Sequence, residues 1–372
     1  VTAARPASLR PTLPGPDYVD PAIFAREQER IFAPGWSALA IATDLPRPGD
    51  WVTAALAGEQ LLIVRQTDGS VRGFHNVCRH RGSTVCDGPA GSAGRTLRCP
   101  YHAWTYDLEG SLVGAPQLRA MPDVDRAGQG LVPVRTEVWS GLVWATLDPL
   151  APAVADTIGL EVAERLGGPA AIGAWGMDRL VSGARRTYEV AANWKLLVEN
   201  FMECYHCATI HPELTRTLPE FRTGRGTQNS ELGAAVFAPD VEGFSLSGEH
   251  RHPRLPGLDV THERQYRGMT LRPLTLVNLL PDHVIVHRIG PLAPDRTVVH
   301  CDWLFDPDVV AAPGFDPDDT VALFDAVNRQ DFEACERCQG NMGSVAFARG
   351  GVLVPSEHHL EAFHDWVRDA LR

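Results

Sequence analysis

Short apolar runs separated by Gly, Asp and Ser turns dominate the chain between Gly49 and Leu147. Trp51–Leu56, Gln60–Gln66, Ser70–His75, Arg95–Cys99, Ala103–Asp107, Leu131–Thr136 and Leu142–Leu147 each read as a strand. Strands this short, with turn signals between them, make a small antiparallel β domain. Ahead of it, Asp20-Pro21 introduces the stretch Ala22 to Phe32, a helix with Asp20 as cap and Pro21 at its first position. Beyond the Pro149–Pro152 punctuation and the weak segment Gly167-Gly168-Pro169, the pattern turns mixed. Strands are expected at Leu180–Val190, Leu274–Leu280, Val284–Ile289 and Thr297–Phe305, and helices at Asn193–His206, Asp318–Gly340 and Glu357–Leu371. Thr223–Tyr266 is Gly- and Pro-rich and weakly periodic, and is expected to be a long loop over a site. The fold class is α+β. A small antiparallel β domain occupies 42–150, and 1–41 with 151–372 form a larger domain whose antiparallel sheet is flanked by helices.

Composition narrows the chemistry. A length of 372 residues fits about two domains, and 44% hydrophobic with 22% charged residues is the balance of a globular protein. The net charge of -12 argues against a nucleic-acid partner, which needs a basic face. Val1 to Pro16 lacks the charged-then-apolar pattern of a secretion signal, and the longest apolar stretch, Leu271 to Ile289, is broken by Arg272, Pro273, Pro281, Asp282 and His283. A soluble, cytoplasmic protein with no membrane partner is expected. Eight cysteines accompanied by 14 histidines then suggest metal before disulfides. Lys195 is the only lysine among 34 basic residues, a bias from which no function follows.

Two Cys-plus-His pairs lie in the β region, Cys78-Arg79-His80 and Cys99-Pro100-Tyr101-His102. Four such ligands suit zinc, or a two-iron, two-sulfide cluster with thiolates on one iron and imidazoles on the other. The C-x-H spacing is unusual for zinc, which favours C-x2–4-C with H-x3–5-H. Cys86 belongs to neither pair and reads as a small buried residue.

The second constellation lies in Asn193–Pro212. Trp194, Leu197, Val198, Phe201 and Tyr205 recur at helical spacing as a core face, while Lys195, Glu199, Glu203 and His206 form a polar stripe on which Glu203 and His206 are neighbours. His211 points away on an ideal helix, but Pro212 ends the helix there and frees His211 to turn back. Two His and a carboxylate with open positions are the ligand set of oxygen-activating non-heme Fe(II). Asp331 supplies a candidate carboxylate: it falls on the apolar face marked by Phe324, Val327 and Cys335. A buried carboxylate needs a cation, either a metal or an arginine such as Arg337 or Arg329.

Here the sequence resembles a known family. Cys78-Arg-His-Arg-Gly82 and Cys99-Pro-Tyr-His-Ala-Trp-Thr-Tyr-Asp107 resemble the Rieske family, which usually has Gly where Ala103 stands. Asn193-Trp-Lys195, Glu199-Asn200, His206-x4-His211 and the downstream Asp331 resemble the catalytic half of Rieske oxygenase α subunits, with both motifs in the expected order. The resemblance implies a [2Fe-2S] cluster on Cys78, His80, Cys99 and His102, and a mononuclear Fe(II) on His206, His211 and Asp331. It implies that Glu203, where the family usually has Asp, bridges His206 to the Rieske ligand of a neighbouring subunit. Electrons then run from His102 across Glu203 to His206, and a homotrimer follows. It further implies O2 as co-substrate and NAD(P)H electrons delivered by a separate flavin/iron-sulfur reductase, with or without a ferredoxin. The chain itself carries no flavin or nicotinamide fingerprint.

Glu203-Cys-Tyr-His-Cys207 and Asp331-Phe-Glu-Ala-Cys-Glu-Arg-Cys-Gln339 are similar to the branch acting on quaternary ammonium compounds such as carnitine and betaines. For a betaine, N-methyl hydroxylation gives a carbinolamine that loses formaldehyde. Phe201, Tyr205, Tyr266 and Trp303 are candidates for an aromatic cage around the cation, and each also reads as core. Two alternatives stand beside this function: an aromatic or heteroaromatic hydroxylase or demethylase of the same family, and a Rieske electron carrier with an inactive second domain. Cys204-x2-Cys207 with Cys335-x2-Cys338 has four-thiolate zinc spacing, but on helices; the six cysteines outside the Rieske pairs read most simply as reduced. His250, His252, His358 and His359 read as exposed; His283, His287 and His300, on or beside expected strands, read as core histidines, with lining a pocket as the alternative.

Overall fold

The computed structural model describes residues 9–372 apart from 122, 124, 169, 225 and 227–232. It divides the chain into two compact units, Phe32–Ser182 and Val1–Ile31 with Gly183–Arg372. The β unit is thus wider than the 42–150 read from turn signals, because Ser37–Ile41 is a strand paired with Leu142–Thr146.

The β unit contains β1 Ser37–Ile41, β2 Asp50–Leu56, β3 Glu59–Arg65, β4 Val71–His75, β5 Ala90–Ser92, β6 Thr96–Arg98, β7 Thr105–Asp107, β8 Leu112–Gly114, β9 Pro133–Trp139 and β10 Leu142–Thr146. One seven-stranded sheet runs β1-β10-β9-β4-β3-β2-β5, and β6-β7-β8 form a second. Leu62, Val64, Phe74, Leu97, Tyr106 and Leu112 fill a core that also takes in Cys78 and Cys99. The expected strands are present within a few residues. β1, β5 and β8 were not expected; the last two have three residues each, too few to show alternation.

The other unit contains a six-stranded sheet, β11 Val181–Val190, β12 Ala235–Val236, β13 Gln265–Leu271, β14 Thr275–Leu279, β15 Val284–Ala293 and β16 Arg296–Phe305, in the order β11-β16-β15-β14-β13-β12. β12 falls in the segment expected to be loop and β13 begins at its end, where Gly268 at mid-strand weakens the signal. The helices that bear on the site are α1 Pro21–Glu27, α2 Trp194–Met202, α3 Cys207–Ile210, α4 Pro212–Thr217, α5 Asp318–Met342 and α6 His358–Ala370. Asp20 caps α1 by accepting the Ala22 N–H at 2.8 Å, and Asn193 caps α2 by accepting that of Lys195.

Three changes to the expected picture matter. The helix expected over 193–206 stops at Met202, so Glu203 and His206 do not share a helical stripe. His250, expected at the surface, is exposed, but His252 is buried against Phe305. Lys195 and Glu199, expected on a polar stripe, are drawn inward. Lys195 pairs with the wholly buried Glu27, which also accepts the Trp194 indole N–H at 2.9 Å. Glu199 accepts from Tyr18 Oη at 2.7 Å and faces His364 Nε2 at 3.1 Å. The Lys195–Glu27 and Glu199–His364 contacts link α2 to α1 and α6.

The turn between β6 and β7 is closed by the Cys99 N–H to Trp104 O and the Ala103 N–H to Cys99 O hydrogen bonds, and it holds Ala103 at φ 58°. That left-handed conformation costs a Cβ-bearing residue about 1–2 kcal/mol, which explains why glycine suits the position better. Ala103→Gly is therefore expected to stabilise the β unit by about 0.5–1 kcal/mol after the extra chain entropy of glycine is offset. The denaturant midpoint of the intact chain measures this, and an unchanged or lower midpoint would count against the strain.

Candidate metal centres

The two Cys/His pairs sit on two tight turns of the β unit. Cys78 N–H bonds Ser83 O and Gly82 N–H returns to Cys78 O, so the first turn closes as the second does. Both sulfurs face inward, while His80 and His102 lie at the surface with ring centroids 4.6 Å apart. Tyr106 Oη lies 3.3 Å from Cys78 Sγ and accepts the Arg79 N–H at 3.0 Å. Burial raises the Cys78 thiol. At Cys99 burial acts in the same direction but is outweighed, chiefly by the Tyr101 backbone N–H, and the thiol is lowered. Two buried thiols opposite two imidazoles fit a cluster with sulfur ligands on one iron and nitrogen ligands on the other.

In the larger unit, His206, His211 and Asp331 come together. Asp331 Oδ1 lies 2.8 Å from His211 Nε2 and 3.3 Å from His206 Nε2. Ligands about 2.1 Å from a metal at right angles are about 3.0 Å apart, so both separations fit neighbouring positions on one cation. Pro212 opens α4 and leaves His211 between two helices, as its sequence position suggested. The arginine alternative does not hold: Arg329 pairs with Asp325 and Arg337 with Glu333, while Asp331 faces the histidines.

The outer nitrogens are also held. His206 Nδ1 lies 2.5 Å from Glu203 Oε1, and His211 Nδ1 lies 2.7 Å from Gln330 Oε1. Such partners fix the tautomer that turns each Nε2 lone pair toward a metal. Glu203 reaches His206 by an unexpected route. Its backbone is extended at φ -130°, ψ 164°, and its other oxygen accepts the Tyr205 N–H. That side-chain bond to the backbone competes with continuing the helix. The site demands positive charge. Burial would lower His206, yet the hydrogen bonds it donates to Asp331 and then Glu203 outweigh it and raise it to about 10. Burial would likewise raise Asp331, but His206 and His211 bring it down to about 2. A divalent cation would supply the same charge.

Among the described residues, Cys204, Cys207, Cys335 and Cys338 do not assemble into a four-thiolate site. Cys204 and Cys207 are instead joined as a disulfide, which corrects the expectation that both are reduced; three residues apart at a helix break, they face each other. The four aromatic candidates have separate settings. Tyr205 is 60% exposed, Trp303 is wholly buried, Tyr266 stacks on Phe244 with centroids 5.5 Å apart, and Phe201 lies 6.2 Å from the His287 ring.

Sequence reasoning passed over the buried array around His287. Tyr266 Oη donates to Asn278 Oδ1 at 2.6 Å, and His287 Nε2 lies 3.0 Å from Asn328 Oδ1, one turn before Asp331. Burial lowers His287 to about 4, so it is neutral and donates from Nε2. The available signal was His287 and Asn328, polar residues at core positions of β15 and α5.

Residues 35–128 match the Rieske [2Fe-2S] domain family, and residues 177–372 match the ring hydroxylating alpha subunit (catalytic domain) family. The chain is similar to the glycine betaine monooxygenase oxygenase subunit of Chromohalobacter salexigens, 30% identical over 97% of this chain and 86% of that one. It is similar to the carnitine monooxygenase oxygenase subunit of Acinetobacter pittii, 29% identical over 96% and 94%. Among solved structures it is similar to the quaternary ammonium Rieske monooxygenase CntA in complex with substrate gamma-butyrobetaine. That likeness has 27% identity, covers 98% and 96% of the two chains and gives a TM-score of 0.78.

The geometry sets an iron count. The intact chain is expected to hold about three irons and His211→Ala about two, with acid-labile sulfide unchanged. Metal and sulfide analysis checks this, and an iron count unaffected by the substitution would detach His211 from the metal.

Proposed function

Because the chain belongs to the Rieske oxygenase α-subunit family, we propose that it is a terminal oxygenase hydroxylating a small quaternary ammonium compound such as a betaine. The carbinolamine formed at an N-methyl group then releases formaldehyde. The observation that carries the proposal is the double grip on His206, with Asp331 at Nε2 and Glu203 at Nδ1, in a chain whose full-length relatives are betaine and carnitine oxygenases.

In this reading Cys78, Cys99, His80 and His102 hold the [2Fe-2S] cluster, and His206, His211 and Asp331 hold the mononuclear iron. When bound, that iron supplies O2 activation with electrons from a reduced nicotinamide through a separate reductase. The protein's own part is positioning and charge. Asp331 and the two imidazoles leave open positions on one side of the cation. Gln330 keeps the His211 proton at Nδ1 and itself donates to Glu213 Oε2 at 3.2 Å. Glu203 keeps the His206 proton at Nδ1, and its carboxylate retains lone pairs for a histidine N–H from a neighbouring subunit. Full use of Glu203 requires that neighbour, so the working form is a homotrimer in which each chain serves the next.

The substrate's cation is held by aromatic faces, worth about 2 kcal/mol or more per desolvated contact. The Phe201 and Phe324 rings lie 6.2 and 5.6 Å from that of the neutral His287. A neutral histidine there adds no repulsion to a bound cation.

Two outcomes test the function. With a compatible reductase and NADH, glycine betaine, carnitine or a related betaine is expected to drive coupled O2 uptake and formaldehyde release. Absence of both with every quaternary amine, but turnover of an aromatic acid, would move the chain to the ring-hydroxylating alternative. Glu203→Gln is expected to keep both metal sites and lose about 100-fold or more in turnover. Near-normal turnover in that variant would remove the bridging role.

A further inference from the structure

Cys204 and Cys207 have no part in the function proposed above, yet they flank His206, are both buried, and are joined to each other. Cys207 Sγ lies 3.8 Å from His206 Nε2, the same nitrogen that faces Asp331. The ligand atoms of His206, Cys207 and His211 also all lie within 4.8 Å of one another. The two imidazoles therefore belong to two overlapping donor sets. One is completed by the Asp331 oxygen, the other by the Cys207 sulfur.

We propose that the Cys204–Cys207 pair is a redox-controlled ligand switch: reducing the disulfide frees Cys207 as a thiolate that joins His206 and His211 in a site for zinc. This rests on His206 and His211 being ligands of the mononuclear metal. A disulfide sulfur is uncharged and a weak donor, so in the oxidised chain Asp331 alone completes the set, and two imidazoles with a carboxylate suit Fe(II). A thiolate is softer and charged, and with it two imidazoles, one sulfur and the Asp331 oxygen make four N, S and O ligands of the kinds that zinc accepts in a tetrahedral site. Zinc has no redox chemistry, so the zinc-loaded chain is inert as an oxygenase.

The interconversion balances. A dithiol supplies two electrons and two protons, the S–S bond breaks to give two thiols, and the dithiol closes into its own disulfide. Zinc binding then releases the Cys207 proton. In reverse, the two thiols lose two electrons and two protons to hydrogen peroxide, which becomes two waters. The turn reaches the surface at Tyr205, which is 60% exposed, while both sulfurs point inward. Exchange therefore has a route but is slow.

The test uses the full chain with its cluster in place and the mononuclear metal removed by a chelator. One pool stays oxidised and one is treated with a phosphine reductant that is then removed; both are loaded with zinc. After unfolding, free thiols are expected to rise from six to eight per chain. Zinc K-edge absorption is expected to show a sulfur ligand at about 2.3 Å in the reduced pool alone. Zinc is expected to bind that pool at least about tenfold more tightly. Cys204→Ser, which leaves Cys207 free, is expected to show the sulfur ligand without reduction, and Cys207→Ser never to show it. If reduced wild type and Cys204→Ser both bind zinc through nitrogen and oxygen only, the switch is overturned and the iron site stands. If His211→Ala leaves zinc binding unchanged, the metal assignment falls and takes the switch with it.

Discussion

A carboxylate largely withdrawn from water against two imidazoles is stabilised by positive charge among them. Asp331 sits in that position, and the surrounding structure follows from keeping its partners in place. α5 carries Asp331 on a face that is otherwise apolar, with Phe324, Val327 and Cys335 packed inward. Desolvation there costs several kcal/mol unless opposite charge is supplied. The raised His206 imidazole supplies part of it, and a divalent cation would supply it more compactly. Their supports extend outward: Gln330 and Glu203 hold the far nitrogens, and the Lys195–Glu27 pair anchors the helix that leads into Glu203.

The β unit solves a related problem with the opposite geometry. Its sulfur donors belong to the core, and its imidazoles lie at the surface. Thiolates gain from hydrogen-bond donors aimed at them in a low-dielectric setting, which Tyr106 and the backbone N–H groups of the second turn provide. Surface imidazoles would give a cluster held there an exposed edge, the side from which an electron could leave, and burying all four side chains would insulate it.

How much of this the sequence disclosed depended on the range of the forces involved. Cys78, His80, Cys99 and His102 were legible because each pair is local, and turns closed by hydrogen bonds a few residues apart leave a spacing signature. His206 and His211 were legible for the same reason, with Pro212 marking the break. Asp331 was legible only as an anomaly, a charge at an apolar helical position, and choosing between metal and arginine needed three dimensions. Glu203 and His206 were expected to meet on a helix, and they meet because that helix stops. The inward pull on Lys195 and Glu199 was hidden, since their partners Glu27 and Tyr18 lie about 170 to 180 residues away in the chain. Array members Asn278, His287 and Asn328 come from two strands and a helix, which no local pattern connects.

The break after Met202 also accounts for a glutamate at position 203. On a continuous helix, a residue three before His206 lies one turn below it, and a short carboxylate reaches across. Here the backbone at 203 is extended, and one carboxylate oxygen is taken by the Tyr205 N–H two residues on. That is the geometry of a side chain capping its own turn, in which the carboxylate is held over the following backbone. The second oxygen must still reach the imidazole, and the additional methylene of glutamate provides the reach that leaves Oε1 2.5 Å from Nδ1. Chain length at 203 and helix length before it are therefore one structural choice. The Cys204–Cys207 bond spans the same turn, so helix stop, carboxylate and disulfide all constrain the orientation of His206.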